Sequence, residues 1–138
     1  MKFSVLFFAV VLILNQSPKA QNTKTLFFDD LPLQTYSEGI RPVSAKSNYW
    51  HNTIKIGGVA YKRGFGAQSP AVLSFMLDGN AKSFSTEVGV DDSANTAIPL
   101  TFYVLADQII LFQSKAMHVG DAAVKIDLDL TGVRQLGL

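Results

Sequence analysis

Cysteine is absent from all 138 residues. That excludes a disulfide framework, a thiolate metal site and a cysteine nucleophile. Secretion stays open, because a chain of this length can stand on its apolar core alone. Histidine is nearly as scarce. His51 and His118 are the two histidines of the chain, they fall in separate polar stretches, and no His-x-x-x-His pair exists to hold zinc. No serine sits in a nucleophile-elbow context, so no catalytic triad can be assembled. Charge is sparse and balanced, with 12 Lys and Arg against 11 Asp and Glu. Leaving out Lys2 and Lys19 gives 10 against 11, a net charge of −1 for the rest of the chain. Phosphate backbones are bound by a basic face, which this composition does not supply, and nucleic acid is not an expected partner.

No apolar run reaches the ~20 residues that a helix needs to cross a bilayer. The longest, Phe3 to Leu14, is FSVLFFAVVLIL. It follows the positive Met1-Lys2 and precedes the polar Asn15 to Ala20, which ends in a small residue. This is the pattern of a secretory leader over residues 1–20, cleaved after Ala20. The alternative is a retained anchor. No lipidation cysteine follows. Residues 21–138 then form one domain, in a chain that is 48% hydrophobic and so able to build a core.

Helical periodicity is missing too, and alternation takes its place. Val124-Lys125-Ile126-Asp127-Leu128-Asp129-Leu130 is apolar on one face and charged on the other. Leu100, Phe102 and Val104 alternate with Thr101 and Tyr103, and Phe84, Val88 and Val90 with Ser83, Ser85, Glu87 and Gly89. Val72 to Leu77 and Ile109 to Phe112 are apolar runs of strand length. Turn residues bound them: Asp78-Gly79-Asn80, Asp107-Gln108, Gly120-Asp121 and Thr131-Gly132. The pattern predicts an all-β, antiparallel β-sandwich. Between Asp29 and Gly64 the chain is looser, and one or two strands joined by a long surface loop are expected there. Arg134 to Leu138 begins a further strand in which the sequence stops. The expectation is a domain truncated in its last strand, with Leu136 and Leu138 unpartnered at an open edge.

Gly64-Phe65-Gly66-Ala67-Gln68-Ser69 is half of a dinucleotide loop, but it lacks the third glycine, and Pro70 and a β-run follow it instead of a helix. Glycines relieving a tight crossing between strands are the better reading. Asp91 and Asp92 end an alternating segment. Neighbours in a strand point to opposite faces, so they do not converge as an acid/base pair. They are candidate calcium ligands or turn caps, with nothing in the sequence to separate the two. Tyr49-Trp50-His51-Asn52 is the most suggestive loop. Sugar sites combine an aromatic plane with amide or imidazole partners for the hydroxyls, and Tyr49, Trp50, His51 and Asn52 are the candidate carbohydrate-binding residues. The alternative is that Trp50 plugs the open end of the sandwich.

Taken in order, these segments resemble the NPCBM domains, a family of carbohydrate-binding modules. Phe28-Asp29-Asp30-Leu31-Pro32 is similar to the family's opening segment. Gly39-Ile40-Arg41-Pro42-Val43 with Lys46-Ser47-Asn48 resembles the next block, with Ile40 where an aromatic is common. Ile56 to Pro70 resembles the signature that runs from a glycine-rich turn to Tyr-x-x-Gly-x-Gly, with Gln68 where a histidine is usual. Phe84 to Asp92 is similar to the Val-Gly-Val-Asp-Asp strand, and Val124 to Leu138 to the closing segment. The family's final stretch, rich in Asp, is missing.

The resemblance implies a galactose-binding-like jelly roll. It implies a non-catalytic module that targets a secreted or surface glycoside hydrolase, covalently attached, to galactose-containing or related glycans. It also raises structural calcium, which is common in similar folds. The expected location is extracellular or periplasmic, with no membrane contact once the leader is removed. Two other readings stand beside it: a secreted β-sandwich that binds protein or spaces other domains, and the N-terminal fragment of an α-galactosidase-like glycosidase.

Overall fold

Alternating residues settle as strands wherever one face can be buried. The computed structural model describes residues 10–12, 24–31, 36–39 and 42–138. In chain order the strands are β1 (Val10–Leu12), β2 (Lys24–Leu26), β3 (Tyr36–Gly39), β4 (Val43–Ala45), β5 (Ile54–Ile56), β6 (Val59–Tyr61) and β7 (Phe65–Ala67). They continue with β8 (Val72–Met76), β9 (Ser83–Val88), β10 (Tyr103–Ala106), β11 (Ile109–Gln113), β12 (Val124–Asp129) and β13 (Gln135–Gly137). One 3-10 turn, Phe28–Asp30, is the helical element among the described residues.

One layer is an antiparallel sheet in the order β11-β10-β13-β8-β3. The facing layer is made of shorter pairs, β12 with β9 and β4 with β7. Leu73, Phe75, Val104 and Leu136 from the first layer bury against Phe65, Phe84, Val88 and Ile126 from the second. Phe28 enters between them and stacks on Phe75 with ring centroids 3.9 Å apart. This is the all-β sandwich that the alternation predicts. The leader is expected over residues 1–20, of which only β1 is described; β1 pairs antiparallel with β2 and runs beside β9. Pro32, Ile40 and Arg41, from the family-like blocks, lie outside the described residues.

Two expectations need correcting. Asp29 to Gly64 holds four strands, β3 to β6, rather than one or two. The missed hairpin is β5–β6, which buries Ile54 and Ile56 of β5 fully while Val59 of β6 is exposed. Its turn is Gly57-Gly58, both at positive φ as a tight two-residue hairpin requires. The second correction concerns the end of the sequence. β13 is a central strand, paired with β10 on one side and β8 on the other. Leu138 exchanges both backbone hydrogen bonds with Leu73, and Leu136 is buried in the core. Leu136 and Leu138 therefore have partners, and no open edge forms at β13.

Candidate functional site

The segment from Lys46 to Thr53 joins β4 to β5 as a compact loop, and Asn48 organises it. Its side chain is buried. The Oδ1 atom accepts the backbone N–H of Trp50 at 2.9 Å and of Asn52 at 3.0 Å, so one amide caps two turns of the loop. The Nδ2 atom donates to Asp91 Oδ1 at 3.3 Å and Ser93 Oγ at 3.2 Å. Backbone bonds from Asn48 N–H to Asn52 O and from His51 N–H to Asn48 O close the ring. Below it lies Gly66 of β7, where a Cβ would stand 2.3 Å from the Asn48 backbone. The glycine permits the close crossing that the sequence suggests.

Asp91 is buried and fully engaged. Oδ1 accepts from Asn48, from Ser93 N–H at 3.0 Å and from the Ser93 hydroxyl, while Oδ2 accepts Lys55 N–H at 3.0 Å. Asp92 turns the other way and caps the β5–β6 hairpin, accepting Gly57 N–H at 2.9 Å and Gly58 N–H at 2.8 Å. The two carboxylates thus tie separate turns, with their oxygens engaged by different donors, and do not converge on one ion. No cluster of three His, Cys, Asp or Glu forms among the described residues.

On this base Trp50 is 39% exposed, so it lies on the surface and does not plug the sandwich. Tyr49 is half-buried and meets the Trp50 ring edge-on, with centroids 4.8 Å apart and planes at 84°. His51, at φ 62°, and Asn52 are exposed beside it. The structure brings all four loop candidates together: one aromatic platform with an imidazole and an amide at its margin. His118 sits in another turn, its Nδ1 3.9 Å from Asp121.

A charged clasp holds the start of the loop. Lys46 Nζ is 2.5 Å from Asp30 Oδ1, and Arg63 Nη1 is 2.7 Å from Asp30 Oδ2. These hydrogen bonds, from Lys46 first and then Arg63, hold the Asp30 carboxyl below the usual aspartate range. The same contact raises Arg63 further. Arg63 also covers the Phe27 ring at 3.9 Å and reaches Asp29, whose buried carboxylate accepts Gly64 N–H at 3.0 Å. Asn48 and Asp29, which tie down this loop and its base, enter the sequence reading only within family-like segments and are given no role there. An Asn opening a polar loop, two residues before an aromatic, is the available signal for the first.

This two-layer β-sandwich is the fold of solved CBM51 modules. The CBM51 of a Clostridium perfringens GH95, in complex with methyl-galactose, superposes with a TM-score of 0.70 at 23% identity, over 81% of this chain and 83% of that one. CBM51-2 of Clostridium perfringens ZmpB, in complex with GlcNAc, gives 0.70 at 15% identity, over 99% of this chain and 32% of that one. At these identities the likeness is one of fold. The model of the NPCBM/NEW2 domain matches residues 24–138, and the chain belongs to that family. A provisionally named endo-alpha-N-acetylgalactosaminidase of Renibacterium salmoninarum is 31% identical over 85 residues, 62% of this chain. The matched part spans 6% of that relative's length.

Proposed function

We infer that this module binds a neutral glycan at the 48–52 loop and holds an attached, secreted glycoside hydrolase on galactose-containing or related polymers. The observation that carries the reading is the exposed Trp50 ring on a loop fixed from beneath by Asn48 and Asp91. A pyranose packs its C–H face on such a plane, while His51 and Asn52 reach the ring hydroxyls. Because the loop is already tied, little ordering cost falls on binding. The site is shallow, so affinity is weak, and the module acts by raising local concentration. Its relatives support the sugar class: methyl-galactose and GlcNAc are the ligands in the two CBM51 structures above, and the curated relative carries the name of a galactosaminidase. Removal of the leader would put the module outside the cell or in the periplasm.

Isothermal titration with methyl-galactose, N-acetylgalactosamine and GlcNAc tests this on the purified chain. Trp50→Ala should abolish binding of whichever sugar binds, while changing stability by less than about 1 kcal/mol, as expected for a surface position. Wild-type affinity for these sugars in the Trp50→Ala protein would sink the assignment of the loop.

A further inference from the structure

The tip of the candidate loop carries a residue that its backbone does not favour. Asn48 N–H donates to Asn52 O at 2.8 Å, and His51 N–H donates to Asn48 O at 2.9 Å. These two bonds close a three-residue loop, Tyr49-Trp50-His51, of the kind whose last position is left-handed. His51 holds that position, at φ 62°. Glycine is the usual occupant there, because it reaches this region at no steric cost. Histidine tolerates the region better than most side chains, yet less well than glycine.

The His51 side chain contributes no bond to the fold. The residue is exposed, and among the described residues its imidazole makes no hydrogen bond and no ion pair within 3.5 Å. Two other non-glycine residues at positive φ differ in this respect. Lys46 pairs with Asp30, and Asp107 accepts the backbone N–H groups of Arg134 and Gln135. Asn52, next to His51, turns its Nδ2 back to the Trp50 carbonyl at 3.5 Å, so its amide is partly held within the loop. The imidazole is left as an unengaged donor and acceptor beside the exposed Trp50 ring. A side chain kept in a disfavoured backbone region, and idle in the fold, points to a role outside the fold.

We propose that His51 is the specificity-determining residue of this site: Trp50 offers a platform common to pyranoses, and His51 reads the configuration of one ring hydroxyl. The inference rests on the reading of the 48–52 loop as the glycan site. An aromatic plane meets C–H groups and discriminates weakly between epimers, whereas a hydrogen-bonding side chain disfavours a sugar whose hydroxyl points away from it. A neutral imidazole carries one donor and one acceptor, so a hydroxyl can bond it either way.

The test titrates the full chain with N-acetylgalactosamine and GlcNAc, which differ only in the configuration at C4, and follows thermal melts beside it. Wild type should prefer one of the two. His51→Gly should weaken the preferred sugar about three- to tenfold, the size of one neutral hydrogen bond, and bring the ratio of the two affinities toward one. It should melt at or up to about 5 °C above wild type, because relief of the left-handed backbone outweighs the freedom glycine adds to the unfolded chain. His51→Ala keeps the backbone cost and removes the imidazole. It should bind as the glycine variant does and melt below it, which separates loss of the side chain from loosening of the loop. Wild-type affinity and ratio in either variant, equal affinity of the wild type for the two sugars, or a His51→Gly protein that melts below wild type overturns the assignment of His51, even where Trp50→Ala abolishes binding. A wild type that binds neither sugar overturns it too. Wild-type binding in Trp50→Ala overturns the loop reading and takes this inference with it.

Discussion

Replacing Asn48 with alanine should strongly destabilise this domain. Four side-chain hydrogen bonds disappear together: two accepted from Trp50 and Asn52, and two donated to Asp91 and Ser93. Neutral hydrogen bonds contribute about 0.5–1.5 kcal/mol net each, and those to a charged group about 1.5–3 kcal/mol. Asp91 would keep Ser93 and Lys55 as donors but lose its link to the loop. The expected loss is about 3–5 kcal/mol, within the range for breaking a buried network. That is a large part of the ~5–15 kcal/mol that holds a small domain together. Urea unfolding followed by far-UV circular dichroism measures it. Because Trp50 is the one tryptophan in the chain, its fluorescence reports the same loop independently. Asn48→Asp keeps an acceptor for Trp50 and Asn52 but turns an oxygen toward Asp91 Oδ1, 3.3 Å from the present Nδ2. It should be at least as damaging. A loss below about 1 kcal/mol for Asn48→Ala, with unchanged Trp50 emission, would refute the view that this amide organises the site.

Gly66→Ala should destabilise by several kcal/mol, since its Cβ would stand 2.3 Å from the Asn48 backbone, and thermal melts should show it falling well short of wild type. Chelation of calcium should leave the melting curve unchanged, because protein donors engage both oxygens of Asp91 and of Asp92; a drop in Tm on adding EDTA, reversed by calcium, would contradict this. Asp30 is held below its ordinary value by Lys46 and Arg63, so its contribution is present at neutral pH and is lost as pH falls through that depressed value, below about pH 4. Asp127, lowered by Ser85 and then Lys125, and Asp129, lowered by Thr131, act in the same direction. Stability to urea should therefore fall below about pH 4, as urea unfolding at about pH 3 and about pH 7 would show.

How far the sequence reveals this molecule depends on how each residue is buried. Ile126 and Phe84 were legible because their strands alternate over six residues, long enough for period two to stand out. β5 and β6 are three residues each, too short for any period, and only the Gly57-Gly58 turn marks them. β13 was legible as a strand but not as a central one, because pairing across a sheet joins residues far apart in sequence, here Leu136 with Phe75 and with Ala106. The candidate site divides in the same way. Trp50, His51 and Asn52 announce themselves as polar-aromatic neighbours. Asn48 acts through Asp91, 43 residues away, and no local pattern records that contact.

That separation also explains why the loop can be both exposed and firm. A surface loop ordinarily orders itself at the moment of binding, and the cost comes out of the affinity. Here the ordering is done during folding. Asn48 is buried on Gly66, Asp91 ends the segment after β9, and Lys46 is held at the loop's first residue by Asp30. Three distant parts of the chain converge under five residues. Tyr49 then limits the Trp50 ring from the side, edge against face. The side chains of Trp50, His51 and Asn52 are left outside this frame, because the buried network takes only the backbone N–H groups of Trp50 and Asn52.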